Sequence, residues 1–121
     1  MLRTASLFVA AVVVLAVASN AAFAHRSAVP TLKGTVGPGF TISLKRNGVK
    51  VKTLKAGKYL FVISDKASIH NFTLQRGTGG NALTTVPFVG TKSVSITLTK
   101  GRWKYYCTPH ESIMFGYFTV N

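Results

Sequence analysis

Tyr105-Tyr106-Cys107-Thr108-Pro109-His110-Glu111-Ser112-Ile113-Met114-Phe115-Gly116-Tyr117 is the stretch on which the fold turns. Upstream of its loop, Arg102 to Cys107 alternates so that Trp103, Tyr105 and Cys107 share one face, the period-two pattern of a half-buried strand. Downstream, Phe115 to Val120 reads as a last strand. Between them, Thr108 to Met114 is a loop, with Pro109 shaping it. The chain's final segment is therefore two strands joined by a loop that carries a thiol, an imidazole and a thioether.

Working outward, the rest of the chain follows the same grammar. Leu32 to Val36 is a first strand, closed by Gly37-Pro38-Gly39. Phe40 to Lys45 places Phe40, Ile42 and Leu44 inward, and Asn47-Gly48 signals a hairpin into Val49 to Lys52. Tyr59 to Ile63 is apolar on both faces and suits a central strand. Ser68 to Arg76 alternates with His70, Phe72 and Leu74 on one face. Gly77 to Asn81 is a loop, and Val86 to Val89, interrupted by Pro87, is an edge or connector. Ser93 to Leu98 is a further strand. No window sustains a helical apolar period. The expected fold is all-β, a Greek-key β-sandwich or barrel of seven or eight strands.

Residues 1–24 stand apart. Arg3 precedes an apolar run from Leu7 to Ala18, and Ala22-Phe23-Ala24 offers a small-x-small cleavage pattern, so the segment reads as a signal peptide. Residues 25–31 are a flexible leader and 32–121 the folded domain. The chain of 121 residues holds 15 Lys and Arg against two acids, Asp65 and Glu111, for a formal charge of +13. Loss of Arg3 with the signal leaves +12 on an exported domain. Two carboxylates exclude paired-carboxylate catalysis and oxygen-rich Ca²⁺ or Mg²⁺ cages. Cys107 is the only cysteine, so no intrachain disulfide forms.

The remaining chemistry concentrates in one place. Cys107, His110 and Met114 fall at the spacing Cys-x-x-His-x-x-x-Met, and His70 lies on the strand upstream. Two imidazoles and one thiolate, with a weak axial thioether, are the ligand set of electron-transfer copper. Zinc seldom takes methionine and fits less well. Taken singly, Cys107 and His70 would be core residues and Met114 core filler; together they read as ligands.

These residues resemble a known family. Ser68-Ile69-His70-Asn71-Phe72, with Tyr106-Cys107-Thr108-Pro109-His110 through Met114-Phe115-Gly116, is similar to the cupredoxins, the small blue copper proteins, and most nearly to the plastocyanin, pseudoazurin and amicyanin group. The resemblance covers roughly residues 32–121. It implies a cupredoxin fold, one Cu(II)/Cu(I) ion per chain held by His70, Cys107, His110 and Met114, and an Asn71 that braces the ligand loop by hydrogen bonding. It also implies electron carriage through the solvent-side edge of His110. One departure concerns loop length: plastocyanins place four residues between the loop histidine and the methionine and amicyanins two, whereas this chain has three.

The expected function is thus an exported type 1 copper protein, a monomer and not an enzyme, passing single electrons between redox partners. A field of +12 favours an acidic partner, and weak contact with an anionic membrane or cell wall; nucleic acid is not expected. Two alternatives stay open: a copper scavenging, storage or delivery protein using the same ligands, and a metal-free β-sandwich module that binds anionic polymers.

Overall fold

The computed structural model describes residues 27–121. The segment read as a signal peptide, and the first two residues of the leader, lie outside the described residues. The strands are β1 (Thr31–Val36), β2 (Ile42–Arg46), β3 (Val49–Lys50), β4 (Thr53–Leu54), β5 (Gly57–Asp65), β6 (Thr73–Arg76), β7 (Gly80–Ala82), β8 (Gly90–Leu98), β9 (Gly101–Tyr106) and β10 (Phe115–Val120). They form two five-stranded sheets, ordered β3-β2-β1-β5-β8 and β4-β10-β9-β6-β7. The only helical segment among the described residues is a single 3₁₀ turn, Thr108–His110.

Period-two burial joins the layers. In β10, Gly116, Phe118 and Val120 are buried while Phe115, Tyr117 and Thr119 are exposed. In β5, Tyr59, Phe61, Ile63 and Asp65 are buried and the residues between them half-buried, as a central strand requires. Leu32, Val36, Leu44, Phe61 and Ile63 of the first sheet join Leu74, Tyr105, Phe118 and Val120 of the second, and Phe72 just ahead of β6, in one core. Gly116 has no side chain for a packing reason: a Cβ there would collide with the Tyr105 ring. The Asn47-Gly48 hairpin forms as expected, with φ of 50° and 78° at its two central residues, the mirror-image turn that matches strand twist.

Several boundaries differ from expectation. Val49 to Lys52 is not one strand: β3 pairs with β2, whereas β4 pairs in parallel with β10. The chain crosses between sheets at buried Val51, leaving Val49 exposed. Gly80 and Asn81, expected in a loop, belong with Ala82 to β7, which pairs with β6. Val86–Val89 is a turn with no ladder, consistent with Pro87, and its neighbour β8 starts at Gly90. The expected seven or eight strands become ten because these short edge pieces count separately.

Register lines up like charges. Lys33 faces Lys45 across β1 and β2, and Lys45 faces Lys50 across β2 and β3, all three exposed. Like charges directly opposite are destabilising. Lys45→Glu is therefore expected to raise stability by roughly a few tenths of a kcal/mol in low salt. Denaturant midpoints should show that gain shrinking as salt is added; an unchanged or lower midpoint would contradict this account of the ladder.

Candidate metal centre

The loop between β9 and β10 is closed by its own backbone. Cys107 N–H donates to Met114 O at 3.0 Å, and the N–H groups of Ile113 and Met114 both donate to His110 O, at 3.1 and 2.9 Å. His110 N–H in turn donates to Cys107 O at 3.1 Å, making the 3₁₀ turn. Pro109 suits that turn, where an early N–H has no partner to lose. Cys107, His110 and Met114 are thus pinned together by main-chain bonds.

His70 reaches the same place from the other side of the core. It does not sit on a strand, contrary to expectation. It follows a turn, with its N–H donating to Ala67 O at 3.3 Å, and β6 begins only at Thr73. Its alternation with Phe72 and Leu74 survives as burial without a ladder: all three are buried, but so are Asn71 and Thr73.

Three donor atoms converge. His70 Nδ1 lies 3.1 Å from His110 Nδ1 and 3.7 Å from Cys107 Sγ, and His110 Nδ1 lies 3.6 Å from the same sulfur. A point equidistant from atoms with these separations is about 2.0 Å from each, close to a metal–nitrogen bond and slightly short of a metal–thiolate one. Small outward shifts would fit an ion of copper or zinc size. His70 and Cys107 are fully buried and His110 half-buried. Met114, also fully buried, closes the loop behind them. His70 Nε2 is buried without a hydrogen-bond partner among the described residues, so the polar bonding of that ring is directed through Nδ1. Soft sulfur with imidazole nitrogen selects copper over hard cations.

The surroundings hold this arrangement. Asn71 clasps the ligand loop at both ends of its amide: Thr108 N–H donates to Asn71 Oδ1 at 2.7 Å, and Asn71 Nδ2 donates to Thr108 Oγ1 at 3.1 Å. Thr73 Oγ1 adds a bond of 2.9 Å to the same hydroxyl. Asp65 is buried at the end of β5 and accepts from Thr84 Oγ1 at 2.9 Å, while Phe72 N–H donates to Thr84 Oγ1 at 2.8 Å. That relay ties the His70 turn to β5. Burial pushes the Asp65 carboxyl above its usual range, against the opposing effects of the Thr84 and Ala67 bonds and the His70 charge.

Phe40 is the residue the sequence pattern misplaces. Expected inward on a strand, it is 56% exposed and lies before β2. Its ring stands edge-on to both imidazoles, with centroids 5.5 Å from His70 and 4.9 Å from His110. Glu111, one of the two acids of the chain, pairs with Lys104 Nζ at 2.7 Å. The roles of Thr73, Thr84 and Asp65 carry no signal in the sequence, because isolated small polar residues look alike whether they face solvent or the core.

Comparison with known proteins agrees with this chemistry. A family model described as copper binding proteins, plastocyanin/azurin family, matches residues 35–121. No curated protein sequence matches the chain. Auracyanin A, a "blue" copper protein from the green thermophilic photosynthetic bacterium Chloroflexus aurantiacus, shares the fold with a TM-score of 0.54 at 17% identity, over 75% of this chain and 98% of that one. A Cu(I) amicyanin variant superposes with a TM-score of 0.50 at 14% identity, over 76% of this chain and 83% of that one. Reduced rusticyanin gives 0.50 at 22% identity, over 75% and 78%. At these identities the structures speak to the fold alone.

Two outcomes follow for the metal-free protein. Asn71→Ala removes both bonds to Thr108 and should cost about 1–3 kcal/mol in denaturant unfolding; no loss would mean that the clasp is not structural. Asp65 has a raised folded-state pKa, so the native state binds its proton more tightly than the unfolded chain does. Its contribution to stability therefore falls as pH rises from the ordinary carboxylate range through the raised value. Asp65→Asn should remove that segment of the pH–stability slope, read by thermal unfolding from about pH 3 to about pH 8; an identical slope in both proteins would count against the assignment.

Proposed function

This chain belongs to the plastocyanin/azurin family of copper-binding proteins, and from that premise we propose that it is an exported type 1 copper protein that carries single electrons between redox partners. One copper is its cofactor. We assign the ligands as His70, Cys107, His110 and Met114, with Asn71 as the brace of the ligand loop. The observation that carries the reading is the convergence of His70 Nδ1, His110 Nδ1 and Cys107 Sγ, all mutually within 4.8 Å.

Copper held there supplies a one-electron Cu(II)/Cu(I) couple. The protein's contribution is rigidity. Two imidazoles and a thiolate set a geometry between the preferences of the two oxidation states. Main-chain bonds closing the loop, and the Asn71 clasp, keep those donors in place in either state. The sandwich excludes water from His70, Cys107 and Met114, all fully buried. That enclosure favours retention of the ion over its surrender, and so supports carriage over delivery.

His110 alone among the four is partly exposed, and it offers the approach for a partner. Phe40 on its ring and exposed Ile113 in its loop give this end an apolar rim. The partner's acidity, expected from total charge, has little basic surface to meet here, since Lys104 is already paired with Glu111. Apolar contact around His110 is the recognition we propose. A catalytic role finds no support in the acid and base groups: Asp65 is buried and Glu111 is paired. For localisation, we propose cleavage after Ala24 and release of residues 25–121 outside the cytoplasm.

Residues 25–121 expressed with Cu(II) should show an intense visible thiolate-to-copper band that Cys107→Ser abolishes. Met114→Leu should keep the band and shift the reduction potential, which responds to the axial donor. Absence of the band in the unaltered protein would sink the assignment.

A further inference from the structure

The basic residues are not spread evenly. β1 runs toward the metal centre, so Lys33 and the residues level with or beyond it form the opposite half of the sandwich. That half begins with the exposed ladder of Lys33, Lys45 and Lys50. Arg46, Lys52 and Lys55 follow on the β2–β5 segment, all exposed. Lys58, second in β5, lies farther still from the metal, since Thr31 is level with Leu60. Arg76 bonds Lys100 O where β6 ends, and Arg102 opens β9 beside it. The metal half keeps only Lys66, Lys92 and Lys104, together with both acids of the chain. The far half thus carries +10 and no acidic side chain, and the metal half +1.

Shape and chain path add to the charge. A groove of about 490 Å³ is lined by Arg46, Val49, Lys50 and Lys52, and a second of about 530 Å³ by Arg46, Lys55 and Pro30. Val49, 69% exposed, stands among these cations as an apolar tip. The chain also enters the fold here: Pro30 O accepts from Leu60 N–H at 2.9 Å, at the start of β1. The sequence ahead of it has a charge at Arg26 and none from Ala5 to Ala24. Before cleavage, a bilayer that takes up that apolar segment lies near the basic pole.

We propose that this pole docks on the surface of an anionic phospholipid bilayer, with lipid phosphates among Arg46, Lys50, Lys52 and Lys55, and Val49 dipping between headgroups. Juxtamembrane basic clusters gain affinity from each cation near a negatively charged surface. The same contact relieves the repulsion built into the lysine ladder. It leaves the His110 end pointing away from the membrane. Charge placement and chain path carry this docking mode, independently of the copper assignment.

The test uses the full chain and sedimentation with two kinds of vesicle: pure phosphatidylcholine, and one part phosphatidylglycerol to two parts phosphatidylcholine. Partition into neutral vesicles measures the apolar segment alone, so the ratio between the two isolates the pole. The ratio should be about ten-fold or more in low salt and fall toward one by about 0.5 M NaCl. Combined replacement of Lys45, Arg46, Lys50, Lys52 and Lys55 by Ser should abolish it, and Lys66→Ser with Lys92→Ser should leave it intact. Equal partition into both vesicles, or a ratio untouched by the five replacements, would overturn the proposal. If the five-site variant misfolds, Lys45→Ser with Lys50→Ser takes its place and should lower the ratio more than Lys66→Ser with Lys92→Ser; equal ratios in these two double variants would overturn the proposal. Saturable binding to soluble polyphosphate with no phosphatidylglycerol increment would reassign the pole to a free polyanion.

Discussion

The ring of Tyr105 is the contact on which the rest of the structure depends. It lies over the backbone of Gly116, where no side chain could stand, and stacks on Phe72 at 5.7 Å with an interplanar angle of 8°. The first contact fixes β9 against β10; the second fixes β9 against the segment that carries His70. Cys107 is two residues past Tyr105, and His70 is two residues before Phe72. One aromatic packing event therefore positions both halves of the metal site, and the loop hydrogen bonds complete what it begins. Phe118 extends the stack, 6.4 Å from Tyr105 and 6.2 Å from Trp103. The site is rigid because it is continuous with the core.

How much of this is legible in the sequence depends on the length scale. Cys107, His110 and Met114 are neighbours in the chain, so residue type and spacing alone place them together. His70 requires the family resemblance, since nothing local shows that its segment meets the loop. The strand expected around it fails because apolar alternation predicts burial, and a turn tied down by Ala67 and Asn71 can bury the same side chains without a ladder. Phe40 departs from its pattern for a related reason. An aromatic ring beside a strand looks like core, whereas here an exposed ring stands edge-on to one buried and one half-buried imidazole. Val49–Lys52 has one alternating pattern yet leads from one sheet to the other, with Val49–Lys50 on β2 and the Lys52 carbonyl accepting from Thr119 N–H of β10, because strand switching is a property of partners and leaves no mark on local periodicity.

Charge behaves in the same way at a larger scale. The total of +13 is a property of composition, but its separation into a basic half and a nearly neutral half emerges only when strand register is known. Residues far apart in the chain, such as Lys33, Lys50 and Lys100, join one field because their strands end at one pole. The two ends thus differ in character, an apolar rim around His110 at one and a cationic surface at the other.

The position of the ligand loop between β9 and β10 has a consequence for timing. Cys107, His110 and Met114 all follow β9, and the loop closes only when β10 has paired with β9. A chain made from its N-terminus presents His70 well before the other three, but assembles no coordination site until β10 is also available. Metal loading is therefore downstream of the pairing of the last two strands. The ion meets a closed loop on a finished sandwich, and the donors select it as a set.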